Sequence, residues 1–362
     1  MPGQIRVVTD GMGLARDSAY RGIGTYCRHV LAALAEEADL EVTALVPTGT
    51  EVPDGVRARR VLRVAPGRWA AEEHDLLLPL DLLRTPGDVL FSPGKLPPRW
   101  SPYPVVQTVH DLVPLSDPTA SPSERREWQR ASRRWQHAAA VVAVSAHTAV
   151  EATATLGLDS SRLHVVPHGV DAAFRPGPRG STDPYLLFVG EYDPRKRHRL
   201  AFQVIGTLAD RGLPHTLRVT GRIAPWYAEL MAQLVADAPR PDRIELLGYQ
   251  NVDALVRLYQ QADVLLVTSS AEGFGLPAVE AMSCGTPVVT FDTNASQVVG
   301  DGGLVVPDGD VTAMADAVAA ICTDETLRRD LRERAVRRAA TFSWAESGRQ
   351  HAAILRTEAR RR

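Results

Sequence analysis

The chain has 362 residues, 44% of them hydrophobic and 23% charged, with a formal net charge of −2. That length accommodates two domains with separate cores, and the balance excludes a disordered or fibrous chain and any global attraction to nucleic acid. There is no run of eighteen apolar residues, and the start MPGQIRVVTDG enters a strand pattern at once instead of a basic and then apolar leader. The expected location is therefore the cytoplasm. Cys27, Cys284 and Cys322 are few, odd in number and far apart, which suits small core residues better than a disulfide framework or a zinc site.

In chain order, residues 5–9 predict a first strand, 10–21 a loop, and the next stretch a helix with Ile23, Cys27, Val30, Leu31 and Leu34 on one stripe. Gly22 and Gly24 sit at the start of that helix, where exposed amides can face a phosphate; by itself a Gly-x-Gly is equally a plain strand-to-helix turn. Apolar runs at 40–46, 88–91, 105–109, 140–145 and 163–166 alternate with helical or Pro-rich stretches, the pattern of a mostly parallel sheet. His110 and Asp111 follow a strand end, the side on which open α/β sheets bind ligands. Residues 123–137, SERREWQRASRRWQH, carry five arginines and two tryptophans. A solvated helix face is one reading; contact with an anionic membrane surface is the other.

Residues 172–183, rich in Pro, Gly and Arg, predict an exposed linker. The strand–helix pattern then restarts, with strands expected at 185–189, 216–220, 243–247, 263–267, 287–290 and 303–306. Gly190 opens the loop GEYDPRK, in which Arg195 and Lys196 form a cationic pair that can neutralise a diphosphate. The stretch 268–289, TSSAEGFGLPAVEAMSCGTPVV, follows a buried strand. In it Glu272 and Glu280 stand eight positions apart, Gly273 and Gly275 let backbone approach a ligand closely, and Pro277 suits a helix start. Free amides at that start favour a phosphate or diphosphate, and each carboxylate can accept two hydroxyl hydrogen bonds, as a sugar or ribose diol offers. Two diol-binding carboxylates about a diphosphate describe a nucleotide sugar. Asp308 and Asp310 make a D-x-D pair before a helix, read as a capping turn and not a metal site.

The string EGFGLPAVEAMSCGTPVV resembles the E-x7-E signature of the family 4 retaining glycosyltransferases and matches it at every fixed position. RGIGTY, VHDLVPL, VPHGVD, DPRK and FSW resemble further segments of that family, most closely its mannosyltransferase-like members. His168 stands where Asn is usual, Glu191 where many members carry Arg, and Gln297 where Glu is frequent. The resemblance implies the GT-B fold, α/β with two Rossmann-like domains facing across a cleft: residues 1–172 for the acceptor, 184–344 for the nucleotide sugar, and a helix 345–362 crossing back. It implies that Glu280 holds the nucleotide ribose and Glu272 the donor sugar, with the backbone of Gly273, Phe274, Gly275 and Leu276 on sugar and phosphates. It further places His110 at the donor sugar, Gly22, Gly24 and Gly190 beside the donor, and Lys196, aided by Arg195, on the diphosphate. The implied activity is metal-independent hexosyl transfer with retention, GDP-mannose-like donors being favoured. The nucleotide sugar is then a co-substrate and there is no cofactor. The acceptor, whether sugar, lipid-linked sugar or small natural product, is not legible. A two-domain sugar-nucleotide epimerase or hydrolase, or a non-catalytic nucleotide-sugar binder, are the alternatives, separated by whether an acceptor-dependent product forms.

Overall fold

A computed structural model describes residues 4–15, 22–61, 70–116, 122–178 and 183–361. Half of the loop expected before the first helix (16–21) and part of the expected linker (179–182) lie outside the described residues. The chain divides into two compact units, Met1–Gly169 with Ser343–Arg362, and Val170–Phe342.

The first unit runs β1 (Ile5–Asp10), α1 (Gly22–Ala35), β2 (Leu40–Val46), β3 (Arg57–Arg60), α2 (Ala70–Leu83), β4 (Val89–Ser92), β5 (Val105–Val109), α3 (Val113–Ser116), α4 (Pro122–Trp135), β6 (Ala140–Ala143), α5 (Ala146–Leu156) and β7 (Leu163–Val165). Its parallel sheet has the order β3-β2-β1-β4-β5-β6-β7. Strands β4 and β6 are buried at every position, as strands covered on both faces must be. The expected stripe on α1 is buried from Cys27 through Leu34, with Tyr26 beside it. Ser145 starts α5 by accepting from the Thr148 amide, and Gly157 ends it in the left-handed region.

The second unit runs β8 (Tyr185–Val189), α6 (His198–Asp210), β9 (Thr216–Thr220), α7 (Ala228–Ala236), β10 (Ile244–Gly248), α8 (Val252–Gln261), β11 (Val264–Val267), α9 (Leu276–Ser283), β12 (Val288–Phe291), α10 (Ser296–Val299), β13 (Gly303–Val306), α11 (Val311–Thr323) and α12 (Glu325–Ala339). The order is β10-β9-β8-β11-β12-β13, again parallel. Its core joins Leu186, Phe188, Leu266 and Phe291 to α6 residues Phe202 and Ile205 and α11 residues Val318 and Ile321. The last helix, α13 (Trp344–Arg360), belongs to the first unit. It packs on α1 closely enough that a Cβ at Gly348 would stand 2.3 Å from that of Ala33.

Three differences from the sequence reading have plain causes. Strand β3, RARR, has no apolar alternation to betray it; it is an exposed, charged edge, which also discourages edge-to-edge pairing. The start of the expected linker is not an exposed tether. Phe174 is buried, its carbonyl accepts from Ser283 Oγ at 2.7 Å, and the Arg175 carbonyl accepts from Gln260 at 2.9 Å, so this segment lies on the second unit. The later boundary falls at Ser343 because that residue caps α13 through the Glu346 amide and travels with its helix.

Both sheets reverse their strand order beside their first strand, between β1 and β4 and between β8 and β11. The carboxyl ends of strands at such a reversal are where open α/β sheets receive ligands.

Candidate functional site

In the second unit, β8 and β11 deliver two loops side by side. From β8 comes Gly190, then a short turn Pro194–Lys196 started by Asp193, whose carboxylate accepts from the Arg195 amide. From β11 come Thr268, Ser269 and Glu272, then α9. The loops are sewn together: the Ser270 amide donates to the Arg195 carbonyl at 2.8 Å and Thr268 Oγ1 to the Lys196 carbonyl at 2.6 Å. The consequence is a fixed Lys196, whose ammonium donates to Glu272 Oε1 at 2.6 Å. Ser269 Oγ donates to the same oxygen at 2.6 Å, and Asn294 Oδ1 accepts from the Glu272 amide at 2.8 Å. Gly190 is small for a reason: a Cβ there would lie 3.3 Å from the Lys196 Cε.

Helix α9 begins at Leu276, with Pro277 in its first turn, and has no side-chain cap. The residue before it, Gly275, has φ 95°, a backbone conformation that disfavours any side chain even though the space around it is open. Phe274 is buried against the edge of Phe342, and Gly273 completes the loop. Glu280 points inward from the second turn of α9 and accepts from the buried Tyr259 hydroxyl at 2.9 Å. Desolvation raises its carboxyl to about 7, with Asp171 adding to the rise and the Tyr259 hydrogen bond opposing it. The site therefore holds one carboxylate tied to an ammonium and another poised near neutrality.

Arg195 does not join the Lys196–Glu272 pair here. Its guanidinium grips Asp193 through Nε at 3.1 Å and Nη2 at 2.8 Å. Arg197, which sequence reasoning passed over, sits at φ 50°, where among the described residues every other positive-φ position is glycine. It donates to the Thr268 carbonyl at 2.7 Å and to Asp308 at 2.6 Å. Asp310 caps α11 through the Ala313 amide at 2.9 Å, so both members of the D-x-D pair have structural partners. Gln297 is exposed; its carbonyl, not its amide side chain, is used, accepting from Arg338 at 2.8 Å.

In the first unit His110 follows β5, and its Nε2 lies 2.8 Å from the Pro93 carbonyl. A carbonyl only accepts, so Nε2 carries the proton and Nδ1 is left as the acceptor. Burial lowers its basicity. Tyr26, two residues beyond Gly24, stands edge-on to His110 with ring centres 4.8 Å apart. The Tyr26 hydroxyl lies 2.7 Å from both Thr108 Oγ1 and His351 Nε2. Because His351 Nδ1 faces the Ser347 carbonyl at 2.7 Å, Nε2 accepts and Tyr26 donates to it. His168, in the position where Asn was expected, is buried between Tyr26 and Trp344. Gly22 and Gly24 open α1 as expected, Gly24 buried and Gly22 exposed.

The structure thus gathers Gly190, Lys196, Glu272, Gly275 and Leu276 around the ends of β8 and β11, with Glu280 on the helix that follows, and His110 with the α1 residues around β5. The supporting residues Asn294, Tyr259 and His351 lie 22, 21 and 325 positions from the side chains or backbone they hold, whereas Arg197 directly follows Lys196.

A profile described as "Glycosyl transferases group 1" matches residues 170–338, and one described as "Glycosyltransferase Family 4" matches residues 20–174. The D-inositol 3-phosphate glycosyltransferase of Nocardia farcinica is 32% identical over 271 residues, 69% of this chain and 60% of that protein. The O-antigen chain mannosyltransferase B of Escherichia coli is 36% identical over 162 residues, 44% of this chain and 42% of its own length. The match thus spans about half of those two relatives. Among solved structures, Anabaena Alr3699/HepE in complex with UDP-glucose superposes with a TM-score of 0.76 at 16% identity, covering 98% of this chain and 100% of that one.

Proposed function

The chain belongs to glycosyltransferase family 4 and has the GT-B fold, and from this premise we propose that it transfers a hexose from a nucleoside diphosphate sugar to an acceptor hydroxyl. We propose retention of anomeric configuration and no metal ion. The observation that carries the reading is the Lys196–Glu272 pair, held at 2.6 Å beside the uncapped start of α9. An arriving diphosphate competes for the ammonium, and the released Glu272 then accepts hydroxyl hydrogen bonds from the sugar. Glu280, braced by Tyr259, takes the ribose diol. As the bond to the diphosphate breaks, charge grows on the leaving oxygens next to Lys196 and the α9 amides. Stabilising charge where it forms is usually the largest catalytic contribution. The leaving group itself accepts the acceptor proton, so no enzymatic nucleophile is required on the opposite face.

The mannosyltransferase name of the E. coli relative and the VHDLVPL segment favour a GDP-mannose-like donor. The test is a melting-temperature panel of GDP-mannose, UDP-glucose and ADP-glucose, followed by detection of free nucleoside diphosphate with and without candidate acceptors. A donor at a hundred times its dissociation constant should add about 2.7 kcal/mol of stability. No stabilisation by any nucleotide sugar would refute the proposal, and stabilisation without turnover would reduce it to a binding role.

A further inference from the structure

The loop that follows β12 reaches Glu272 through the side chain of Asn294. Strands β11 and β12 pair in parallel with Val267 opposite Thr290, so the loops that follow them leave the sheet side by side. Two junctions hold these loops together. Thr293 Oγ1 donates to the Ser269 carbonyl at 3.2 Å. Asn294 makes the other with both ends of its carboxamide: Oδ1 accepts from the Glu272 amide at 2.8 Å, and Nδ2 donates to the Glu272 carbonyl.

A backbone amide only donates and a carbonyl only accepts, so these two partners fix which end of the carboxamide is which. They also fix the residue type, since a carboxylate brings acceptors alone and an aliphatic side chain brings neither group. The turn that carries Asn294 is itself closed: the Thr293 amide donates to the Phe291 carbonyl at 2.8 Å, and the Ser296 amide to the Thr293 carbonyl at 2.9 Å. Asn294 thus clamps the main chain of Glu272 from a fixed base. The head of the same residue is held differently, Oε1 accepting from Lys196 and from Ser269, both at 2.6 Å. A diphosphate that draws Lys196 away removes one of the head bonds. The clamp at the root of the side chain does not involve Lys196 and survives that exchange.

We propose that Asn294 is a positioning residue, one that keeps the Glu272 carboxylate aimed at the donor sugar once Lys196 has turned to the diphosphate, a role that rests on the transferase reading. It serves the sugar and not the nucleotide, because the nucleoside diphosphate falls to Lys196, the start of α9 and Glu280. A residue that merely held the fold would affect both ligands alike.

The test compares dissociation constants, by titration calorimetry, for GDP-mannose against GDP, UDP-glucose against UDP and ADP-glucose against ADP, in the full chain and its variants. Asn294→Ala is expected to bind the nucleotide sugar about fivefold to tenfold more weakly, the scale of one or two lost hydrogen bonds, and the nucleoside diphosphate to within about a factor of two of the parent. Its turnover should fall roughly tenfold to a hundredfold, as misplacement of a positioned group does. Asn294→Asp keeps the bond from the Glu272 amide, sets an oxygen against the Glu272 carbonyl, and should be at least as impaired. Being nearly isosteric, it carries the comparison if Asn294→Ala fails to fold. In Glu272→Ala there is no carboxylate left to aim, so adding Asn294→Ala should weaken nucleotide-sugar binding by less than about twofold. Equal losses for both ligands, additive losses in the double variant, or unimpaired sugar-nucleotide binding in both Asn294 variants overturns the role of Asn294 and leaves the transferase reading standing. A parent chain that binds none of the three nucleotide sugars overturns both.

Discussion

The two units handle their polar groups in opposite ways. In the first, Tyr26, His110, His168 and His351 are packed ring against ring, and burial holds the three imidazoles neutral, His351 down to about 4. In the second, Lys196 and Glu272 keep a direct ion pair at 2.6 Å, while Glu280 is left close to its titration point. A dry, neutral cluster can hold shape and fix a tautomer, but it cannot answer a large change in charge. A charged pair can exchange partners when an anion arrives. On the proposed function, the first cluster suits neutral hydroxyls and the second the charge of a leaving group.

Breaking the charged side of this comparison should have the largest effect. Lys196→Ala removes the ammonium from beside α9 and leaves Glu272 with Ser269 alone. Turnover is expected to fall a hundredfold or more, about 3 kcal/mol of barrier, as read by nucleoside diphosphate release at saturating donor. Turnover within a factor of a few of the parent would remove Lys196 from the chemistry.

Next comes Glu280. Its folded-state value near 7 lies above the ordinary carboxyl range, so the folded protein holds this proton more tightly than the unfolded chain. That contribution is fully present below about 4.5 and is lost as pH rises through 7. Glu280→Gln, neutral throughout, should raise stability at pH 8 by about 2 kcal/mol and change it little at pH 4.5. The same replacement should weaken donor binding roughly fivefold to tenfold, since a neutral amide accepts diol hydrogen bonds less strongly than a carboxylate. Donor affinity of the parent should rise with pH across 7. A flat profile would contradict the assignment of Glu280 to the diol.

The neutral cluster predicts a smaller effect of opposite pH sign. Tyr26→Phe strips the donor from His351 Nε2 and should cost about 1.5 kcal/mol in urea unfolding, the range for orphaning a buried acceptor. The depressed histidines contribute stability that is fully present above about 6.5 and is lost as pH falls toward 4. His198 in the other unit, also lowered to about 4, contributes in the same direction, so the diagnostic is a shallower slope in His351→Gln than in the parent. An unchanged slope would mean that His351 is not the neutral acceptor described.

How much of this was legible follows from distance along the chain. Glu272, Gly275 and Glu280 lie within nine positions, and a local string with a strand before it and Pro277 inside it announces loop and helix together. The partners that tune them do not announce themselves: Asn294 is 22 positions from Glu272, Tyr259 is 21 from Glu280, and His351 is 325 from Tyr26. The β8–β11 pairing likewise joins Lys196 to Glu272, 76 positions apart, which no local string announces. Helix α2 was hidden for another reason. Its run LLLPLDLL has leucine on both the buried and the exposed side, so no period separates core from surface. The DPRK loop drew attention to Arg195 and Lys196 as a cationic pair for a diphosphate, yet its charge pattern could not say that Lys196 would bond Glu272 or that Arg195 would turn back on Asp193.

The smallest predicted effect concerns Arg197, and its sign discriminates between two roles. The residue combines an unfavourable backbone, φ 50° and ψ 48°, with hydrogen bonds to the Thr268 carbonyl and Asp308. If it only stabilises the fold, Arg197→Gly should be nearly neutral, because relief of a left-handed residue, worth up to about 1 kcal/mol, offsets the lost contacts. Arg197→Ala keeps the strain and loses the contacts, and should be the less stable of the two by about 1 kcal/mol. If Arg197 also positions Lys196, both variants lose turnover while their donor dissociation constants stay within a factor of two or three. That split requires the loop to loosen without unfolding, which the Thr268 and Ser270 stitches to the same loop make feasible. A loss of stability in Arg197→Gly equal to that in Arg197→Ala would show that the backbone at 197 is not strained. Unchanged turnover in both would confine Arg197 to the scaffold and leave Lys196 positioned by the Thr268 and Ser270 stitches alone.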